Sequence, residues 1–295
     1  MFFIRLLSRL PLWMLYRISD LLFVISFYLL RYRRKMVWKN MKNSFPEKTD
    51  QEIKAIARQF YRNLCDYGVE MLKLVTIGEK DLLRRVTFKN PEVVRDYLKR
   101  GQSLLYLTSH QFNWEWGLVS ACLVYPAQMD FVYQEVNNKF FDNLSLQTRS
   151  RFGGYGIKRD EVARETVKRK GILKGISIMA DQYPGYGHDK KYLTTFLHQD
   201  TVFFYGSNQL AVLMQWPVIY HQIHRVSRGQ YEVTCVEIAR PPYEKNSSEV
   251  IENYVRAVEK SIRDYPANWL WSHNRWKRRH IDEGGSGVVI KGPGH

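Results

Sequence analysis

Two long stretches of the chain carry apolar residues at helical spacing. Over residues 50–74 apolar positions recur three and four apart, and residues 249–263 repeat the pattern. This spacing gathers apolar side chains on one face of a helix. The sequence therefore predicts a long amphipathic helix near the start of a folded domain and a second one near its end.

Between these two helices, short apolar runs alternate with segments of helical pattern. The runs lie at residues 103–108, 129–133, 175–180, 192–197, 217–223 and 231–236. Predicted helices at 114–123 and 138–151 separate the first three runs. Short strands separated by helices are typical of an α/β fold, so we expect a mixed, largely parallel sheet flanked by helices.

The first apolar stretch, residues 10–30, is about long enough to cross a bilayer as a helix. Arg17 and Asp20 lie inside it, three apart on one helix face, where they pair with each other or face the folded domain. A spanning helix, a helix lying in the membrane interface and an amphipathic core helix all fit this pattern. No small-residue cleavage pattern follows, so we expect a permanent, membrane-associated N-terminal helix.

A basic block follows this stretch, running from Arg31 to Lys42 with no acidic residue before Glu47. Such flanks are held on the cytoplasmic side of a membrane, where each basic residue beside anionic lipid adds about 1 kcal/mol of attraction. We expect residues 1–43 to form a single membrane anchor with its basic flank, residues 44–280 one domain on the cytoplasmic side, and glycine-rich residues 281–295 a flexible tail.

The chain as a whole is basic. Its 295 residues include 45 Lys and Arg against 29 Asp and Glu, a net charge of +16. This charge favours anionic partners: phospholipid head groups, phosphorylated substrates, acidic proteins or nucleic acid. Its three cysteines stand at unrelated spacings, which form neither a disulfide framework nor a zinc site, so we expect them to be reduced.

A candidate catalytic pair follows the predicted strand at 103–108. His110 stands at the carboxyl end of that strand, where α/β folds place their sites, and Glu115 follows five residues later. Five residues on one continuous helix are about 140° apart, so the two side chains meet only if His110 lies in the loop and Glu115 in the first helical turn. Glu115 would then orient the imidazole, and His110 would act as a general base on a hydroxyl.

Three further features provide candidate substrate contacts. Arg149, Arg151 and Arg159 offer guanidinium groups suited to phosphate, although a solvated helix face would also explain them. Asp181 and Gln182 form a polar pair at the end of the predicted strand at 175–180, where Asp181 could equally cap a turn. Residues 265–277 are dense in aromatic and basic groups, and their tryptophans suit a membrane interface as well as a core.

These motifs carry a resemblance. Residues 110–115, Asp181-Gln182 and the run at 268–277 together resemble the late acyltransferases of lipid A synthesis, the lauroyl/myristoyl branch of the lysophospholipid acyltransferase superfamily. Residues 10–12 and 40–47 are also similar to that branch, so the likeness runs from about residue 8 to residue 280. Glycerolipid members of the superfamily carry a Pro-Glu-Gly element near the position of Asp181-Gln182, and its absence favours the lipid A branch.

The resemblance implies transfer of a fatty acyl group from an acyl carrier protein thioester to a hydroxyl of a lipid A precursor, at the cytoplasmic face of the inner membrane. Residues 44–280 would be the acyltransferase domain, with His110 and Glu115 catalytic and no acyl-enzyme formed. No metal and no cofactor are implied. Arg149, Arg151 and Arg159 with Asp181 and Gln182 would contact substrate.

Two alternatives remain open from the sequence. The same chemistry would serve a lysophospholipid or aminolipid acceptor with a free hydroxyl. A basic, membrane-tethered binding protein would also explain the charge, but the sequence contains no recognisable nucleic-acid module, so no nucleic-acid partner is expected.

Overall fold

The computed structural model describes residues 2–185, 189–277 and 288–295. The α-helices of these residues are α1 (Phe2–Ser8), α2 (Leu12–Val24), α3 (Arg34–Ser44), α4 (Asp50–Leu74), α5 (Glu79–Arg85), α6 (Glu92–Lys99), α7 (Trp114–Val124), α8 (Lys139–Ser150), α9 (Val162–Lys168), α10 (Gly206–Met214) and α11 (Glu249–Asp264). The strands are β1 (Val86–Phe88), β2 (Leu104–Thr108), β3 (Gln128–Tyr133), β4 (Tyr155–Lys158), β5 (Lys174–Met179), β6 (Lys191–Phe196), β7 (Gln199–Phe204), β8 (Val218–Ser227), β9 (Gln230–Ala239) and β10 (Val289–Lys291). A π-helical turn at Ile25–Leu29 continues α2, and 3-10 turns lie at Arg159–Glu161 and Pro266–Asn268.

The main sheet has seven strands in the order β1-β9-β8-β2-β5-β3-β4. All neighbouring pairs are parallel except β8 and β9, which form an antiparallel hairpin. A second sheet of three strands has the order β10-β6-β7. The predicted fold class, a mixed and largely parallel sheet flanked by helices, is confirmed.

The central strand β2 is buried on both faces. Leu105 and Leu107 point into a cluster shared with α4 and α11, whereas Leu104 and Tyr106 point into a cluster shared with α6 and α7. A strand covered on both sides loses the polar alternation of an exposed strand, and this explains its uninterrupted apolar run.

Helix α4 forms where the apolar spacing predicts it. Its first turn is closed by a capping box, in which the Thr49 hydroxyl accepts from the Glu52 amide and the Glu52 carboxylate accepts from the Thr49 amide. Helix α11 also follows its predicted bounds closely. Several short elements were not predicted from the sequence, among them β1, α5, α6, β4, α9, β7 and α10.

Helix α2 packs along α4 rather than standing apart from the domain. Leu12, Leu15, Ser19 and Phe23 are buried on α4, while the opposite face of α2 exposes large apolar side chains. The segment Leu12–Leu29 is long and apolar enough to cross a membrane, with a third of it buried in the protein. The chain therefore has one N-terminal apolar helix whose inner face belongs to the folded core.

The expected tail is partly ordered. Val289–Lys291 form β10, which pairs in parallel with β6 over Lys191–Leu193, so these residues are a strand and not a flexible segment. The rest of that expectation, residues 281–287, lies outside the described residues.

Candidate active site

The site lies where β2 and β5 end. These strands are parallel neighbours, and Thr108 is in register with Met179. The loops that begin at Ser109 and Ala180 therefore leave the sheet side by side, at its carboxyl edge. This topology brings together His110 and Asp181, which are 71 residues apart in the sequence.

Asp181 holds His110 in a fixed orientation. The Nδ1 atom of His110 lies 2.7 Å from Oδ1 of Asp181, and the backbone amide of His110 donates to Oδ2 at 2.9 Å. The indole of Trp269 donates to the same Oδ2 at 2.7 Å. Burial alone would raise the pKa of Asp181, but the charge and hydrogen bonds of His110 outweigh it and lower that pKa overall. An ionised carboxylate only accepts, so Nδ1 carries the proton and Nε2 is left to accept one.

The aromatic-basic run at residues 265–277 packs against the loop that carries His110 and fixes its backbone by hydrogen bonds. Leu270 donates its backbone amide to the carbonyl of His110 at 3.1 Å, and Phe112 donates to the carbonyl of Asn268 at 2.9 Å. The side chain of Asn268 returns a hydrogen bond to the carbonyl of Phe112. Trp269 and Trp271 are fully buried, so these tryptophans belong to the wall of the site and not to a membrane interface.

The predicted contact between Glu115 and His110 is wrong. Glu115 does lie in the first turn of α7, but its carboxylate accepts from Nε of Arg149 at 2.8 Å and from Nη2 of Arg149 at 2.5 Å. Trp114 donates its indole to Glu115 at 3.1 Å as well. Asp181, which follows the neighbouring strand β5, takes the Nδ1 position of His110, and Arg149 from α8 binds the carboxylate of Glu115.

The remaining predicted site residues divide between the site and the scaffold. Arg151 donates to the carbonyls of Leu74 and Ile77 and thereby caps the end of α4, so its expected contact with a phosphate has no support in this arrangement. Arg159 forms an ion pair with Asp189 and lines the groove described below. Asp181 was expected to contact substrate, but its side chain is fully buried against His110.

A groove of about 1440 Å³ opens beside His110. Its walls carry the predicted site residues Arg149, Arg159 and Gln182, together with basic side chains farther along. These additional basic residues are Lys190 and Lys245. A narrow apolar slot lies between α7 and the sheet, lined among others by Leu118, Met129 and Phe131, and it shares Arg149 and Met179 with the groove. Among the described residues no three His, Cys, Asp or Glu side chains are arranged to hold a metal ion.

Sequence reasoning missed two parts of this site. The aromatic-basic run contained Trp269, but its tryptophans were expected at a membrane interface or in the core and not as donors to Asp181. Arg275 from the same run is fully buried against the ring of Phe203 at 4.1 Å, and burial lowers its pKa to about 10. No local pattern distinguishes a buried arginine from a surface one, so only the fold reveals its position.

Fold and site define an α/β protein with a histidine–aspartate pair at the carboxyl edge of its sheet, beside a groove lined by basic side chains and by Asp160 and Asp189. Residues 1–278 match the family described as bacterial lipid A biosynthesis acyltransferase, and the chain belongs to that family. It is also similar to lipid A biosynthesis acyltransferase 2 of Shigella flexneri, with 20% identity over 267 residues that cover 86% of this chain and 80% of the relative. The resemblance inferred from the motifs is thereby confirmed, and the protein is an acyltransferase of lipid A biosynthesis.

Proposed function

We propose that the protein transfers a fatty acyl group from an acyl carrier protein thioester to a hydroxyl of a lipid A precursor, with His110 as the general base. The observation that carries this proposal is the imidazole of His110, which is held at Nδ1 by Asp181 and lines the groove. Within the described residues no protein group occupies its Nε2 atom.

The reaction needs one proton acceptor and no acyl-enzyme. Nε2 of His110 takes the proton of the acceptor hydroxyl while that oxygen attacks the thioester carbonyl carbon. The tetrahedral intermediate then collapses, the carbon–sulfur bond breaks, and the departing thiolate takes the proton back from the imidazolium. Asp181 stabilises the imidazolium between these two steps because its carboxylate is ionised and hydrogen-bonded to Nδ1.

Arg149 is the group best placed to stabilise negative charge in the reaction. Its side chain lines both the groove and the apolar slot, and Glu115 holds it through two hydrogen bonds. The guanidinium has five N–H donors, so donors remain for an oxyanion or a phosphate. The apolar slot beside it suits the start of an acyl chain, since it adjoins the groove at Arg149 and Met179.

The donor and the membrane account for the remaining surface features. Acyl carrier protein is acidic, and the net charge of +16, with Lys190 and Lys245 along the groove, favours its approach. The exposed apolar face of α2 and the basic block at residues 31–42 support a location on the cytoplasmic face of the inner membrane, with attachment through one N-terminal anchor. Arg17 on that face has a side chain 82% exposed, which favours a helix lying in the interface over one crossing the hydrocarbon.

The test is mass spectrometry of lipids after incubation of the purified protein with long-chain acyl carrier protein. A lipid A precursor and a set of lysolipids are offered in parallel, and acyl-coenzyme A replaces the carrier protein in a second series. We expect one acyl mass on the lipid A precursor, lost in His110→Ala and retained in His198→Ala, a matched change at an exposed histidine. Acylation of a lysolipid alone, or full activity in His110→Ala, would overturn the proposal.

A further inference from the structure

One buried carboxylate connects the N-terminal helix to the histidine loop. Glu70 lies in the middle of α4 and is completely buried. Its Oε1 atom accepts from the hydroxyl of Tyr16 on α2 at 2.8 Å. Its Oε2 atom accepts from the side-chain amide of Asn113 at 2.9 Å and from the hydroxyl of Tyr231 on β9 at 2.6 Å. Both oxygens are thus engaged by groups from three separate parts of the chain.

The chemistry of Glu70 is poorly suited to stability alone. Within the described residues no lysine or arginine lies at ion-pair distance from its carboxylate, so the cost of burying it is offset by hydrogen bonds only. An apolar side chain of similar size would commonly stabilise such a position equally well or better. The carboxylate instead fixes geometry. Its two oxygen atoms determine where the three donor side chains must point.

Asn113 conveys this constraint to the site. It stands three residues after His110 and caps α7, with its Oδ1 accepting from the backbone amide of Trp116 at 3.1 Å. Its other amide atom is the one held by Glu70. The cap therefore fixes the start of the helix that carries Glu115, while the hydrogen bonds of Phe112 to Asn268 fix the loop on the other side.

Tyr16 makes the same carboxylate depend on the position of α2. Polar contacts along α2 and α4 occur in antiparallel order, with Tyr16 opposite Glu70 and Ser19 opposite Asp66 at 2.6 Å. A glycine at position 229 leaves room for the Tyr16 hydroxyl, because a Cβ atom there would lie 2.2 Å from it. The hydroxyl thus sits in a closed space that only a docked α2 fills.

We propose that Tyr16 and Glu70 are positioning residues, through which docking of the N-terminal helix sets the loop His110–Asn113 for acyl transfer. The helix then has a second role besides membrane attachment: when it leaves α4, Glu70 loses a donor and Asn113 loses a rigid partner. The kinetic consequence rests on the function proposed above, whereas the effect on the loop does not.

The test compares Tyr16→Phe with Tyr28→Phe, in the full chain on vesicles of phosphatidylethanolamine and phosphatidylglycerol. Tyr16→Phe removes one hydroxyl, whereas Tyr28 is half-exposed on the same N-terminal segment and serves as the matched control. Hydrogen exchange is measured on peptides covering residues 109–117, where the Trp116 amide reports directly on the Asn113 cap. We expect roughly tenfold faster exchange there in Tyr16→Phe, unchanged exchange in Tyr28→Phe, and equal vesicle binding by both.

Kinetics give the second readout. We expect kcat to fall about tenfold in Tyr16→Phe with little change in KM, because the loop is misplaced while the groove is intact. Glu70→Gln keeps the shape and an acceptor for Asn113, so it should retain more activity than Glu70→Ala. Unchanged hydrogen exchange over residues 109–117 in Tyr16→Phe would overturn the proposal, whether or not the wild-type protein transfers acyl groups. If wild-type protein transfers no acyl group at all, the proposed function fails while the exchange result still decides this inference.

Discussion

The carboxylate of Glu115 lies against the guanidinium of Arg149 in a buried, two-point contact, with Nε to Oε2 at 2.8 Å and Nη2 to Oε1 at 2.5 Å. The Glu115 side chain is 3% exposed and that of Arg149 is 19% exposed. Burial alone would lower the pKa of Arg149, but the charge of Glu115 outweighs it and raises that pKa. The ion pair thus leaves neither charge buried without a partner, and Arg149 lines the same groove as His110.

The first prediction concerns this pair. Removing either partner leaves the other charge buried and unpaired, so Glu115→Ala and Arg149→Ala should each lower the free energy of unfolding by about 3–5 kcal/mol. The double variant should lose less than the sum, with a coupling energy of about 1.5–3 kcal/mol in urea unfolding. A second cycle on His110 and Glu115, which share no hydrogen bond, is the control. Strong coupling between His110 and Glu115, with none between Glu115 and Arg149, would instead support the His110–Glu115 contact expected from the sequence.

The second prediction concerns the orientation of His110. In Asp181→Asn the backbone amide of His110 and the indole of Trp269 still require an acceptor, so the amide oxygen takes the place of Oδ2. The amide nitrogen then faces Nδ1 and forces the proton onto Nε2, which can no longer accept one from a hydroxyl. We expect kcat to fall by about 10²–10⁴ with little change in KM, measured by acyl transfer to a lipid A precursor. A variant with normal kcat and an intact thermal unfolding transition would refute the role given to Asp181.

A third prediction follows from His221, which is buried in the apolar slot. Its ring stacks on Tyr106 at 4.5 Å, and burial lowers its pKa from 6.5 to about 3. Between these pH values the unfolded chain binds the extra proton and the folded chain does not, so stability falls as the pH drops from 6.5 towards 3.

The slope from this one group is about 1.4 kcal/mol per pH unit. His221→Phe keeps the stacked ring and should remove that part of the slope in urea unfolding between pH 4.5 and 6.5. His273 contributes a similar slope of its own, since burial lowers its pKa to about 4. An equal slope in wild type and in His221→Phe would contradict the lowered pKa of His221 in the folded protein.

The sequence predicts the helices and strands of this fold better than it predicts which of them contact each other. Helix α4 and strand β2 lie close to their expected bounds, because apolar periodicity is a local property. The partner of His110 is not local: it depends on β5 lying beside β2 with Thr108 opposite Met179. Glu115 was the candidate partner of His110 because it lies only five residues away. The observed partner, Asp181, is set by the strand order, and no short sequence pattern encodes strand order.

The same distinction explains the elements without a sequence signal. Strands β1 and β4 have three and four residues, too few for an alternating pattern to rise above chance. The N-terminal helix was recognised by its composition, and Arg17 and Asp20 inside it were expected to pair with each other or to face the folded domain. In the structure Asp20 lies 4.0 Å from Arg17 and accepts a hydrogen bond from Arg228, while Ser19 donates to Asp66. The contact of Ser19 had no local signal, because its partner on α4 is 47 residues away.

The last prediction concerns the outer face of α2. Trp13, Leu21 and Leu29 are 66%, 60% and 70% exposed, whereas Leu15 on the inner face is completely buried. Burying an apolar side chain of this size in the membrane interface contributes about 1–2 kcal/mol when part of it is already covered. The triple change to Ser on the outer face should therefore weaken partition into anionic vesicles by about 10²–10⁴-fold and leave the unfolding free energy nearly unchanged.

Leu15→Ala should do the opposite, because it leaves the outer face intact and opens a cavity against α4. We expect a loss of about 2–5 kcal/mol in unfolding free energy with vesicle binding retained. Val167→Ser with Ile172→Ser, at exposed apolar positions outside the N-terminal segment, controls for general loss of surface hydrophobicity. Vesicle sedimentation at low and high salt separates the apolar contribution from that of the basic block, since only the latter is screened. If the outer-face triple variant binds vesicles as tightly as wild type at high salt, then attachment depends on some other surface, and α2 is a core helix of the domain whose apolar outer face serves another purpose.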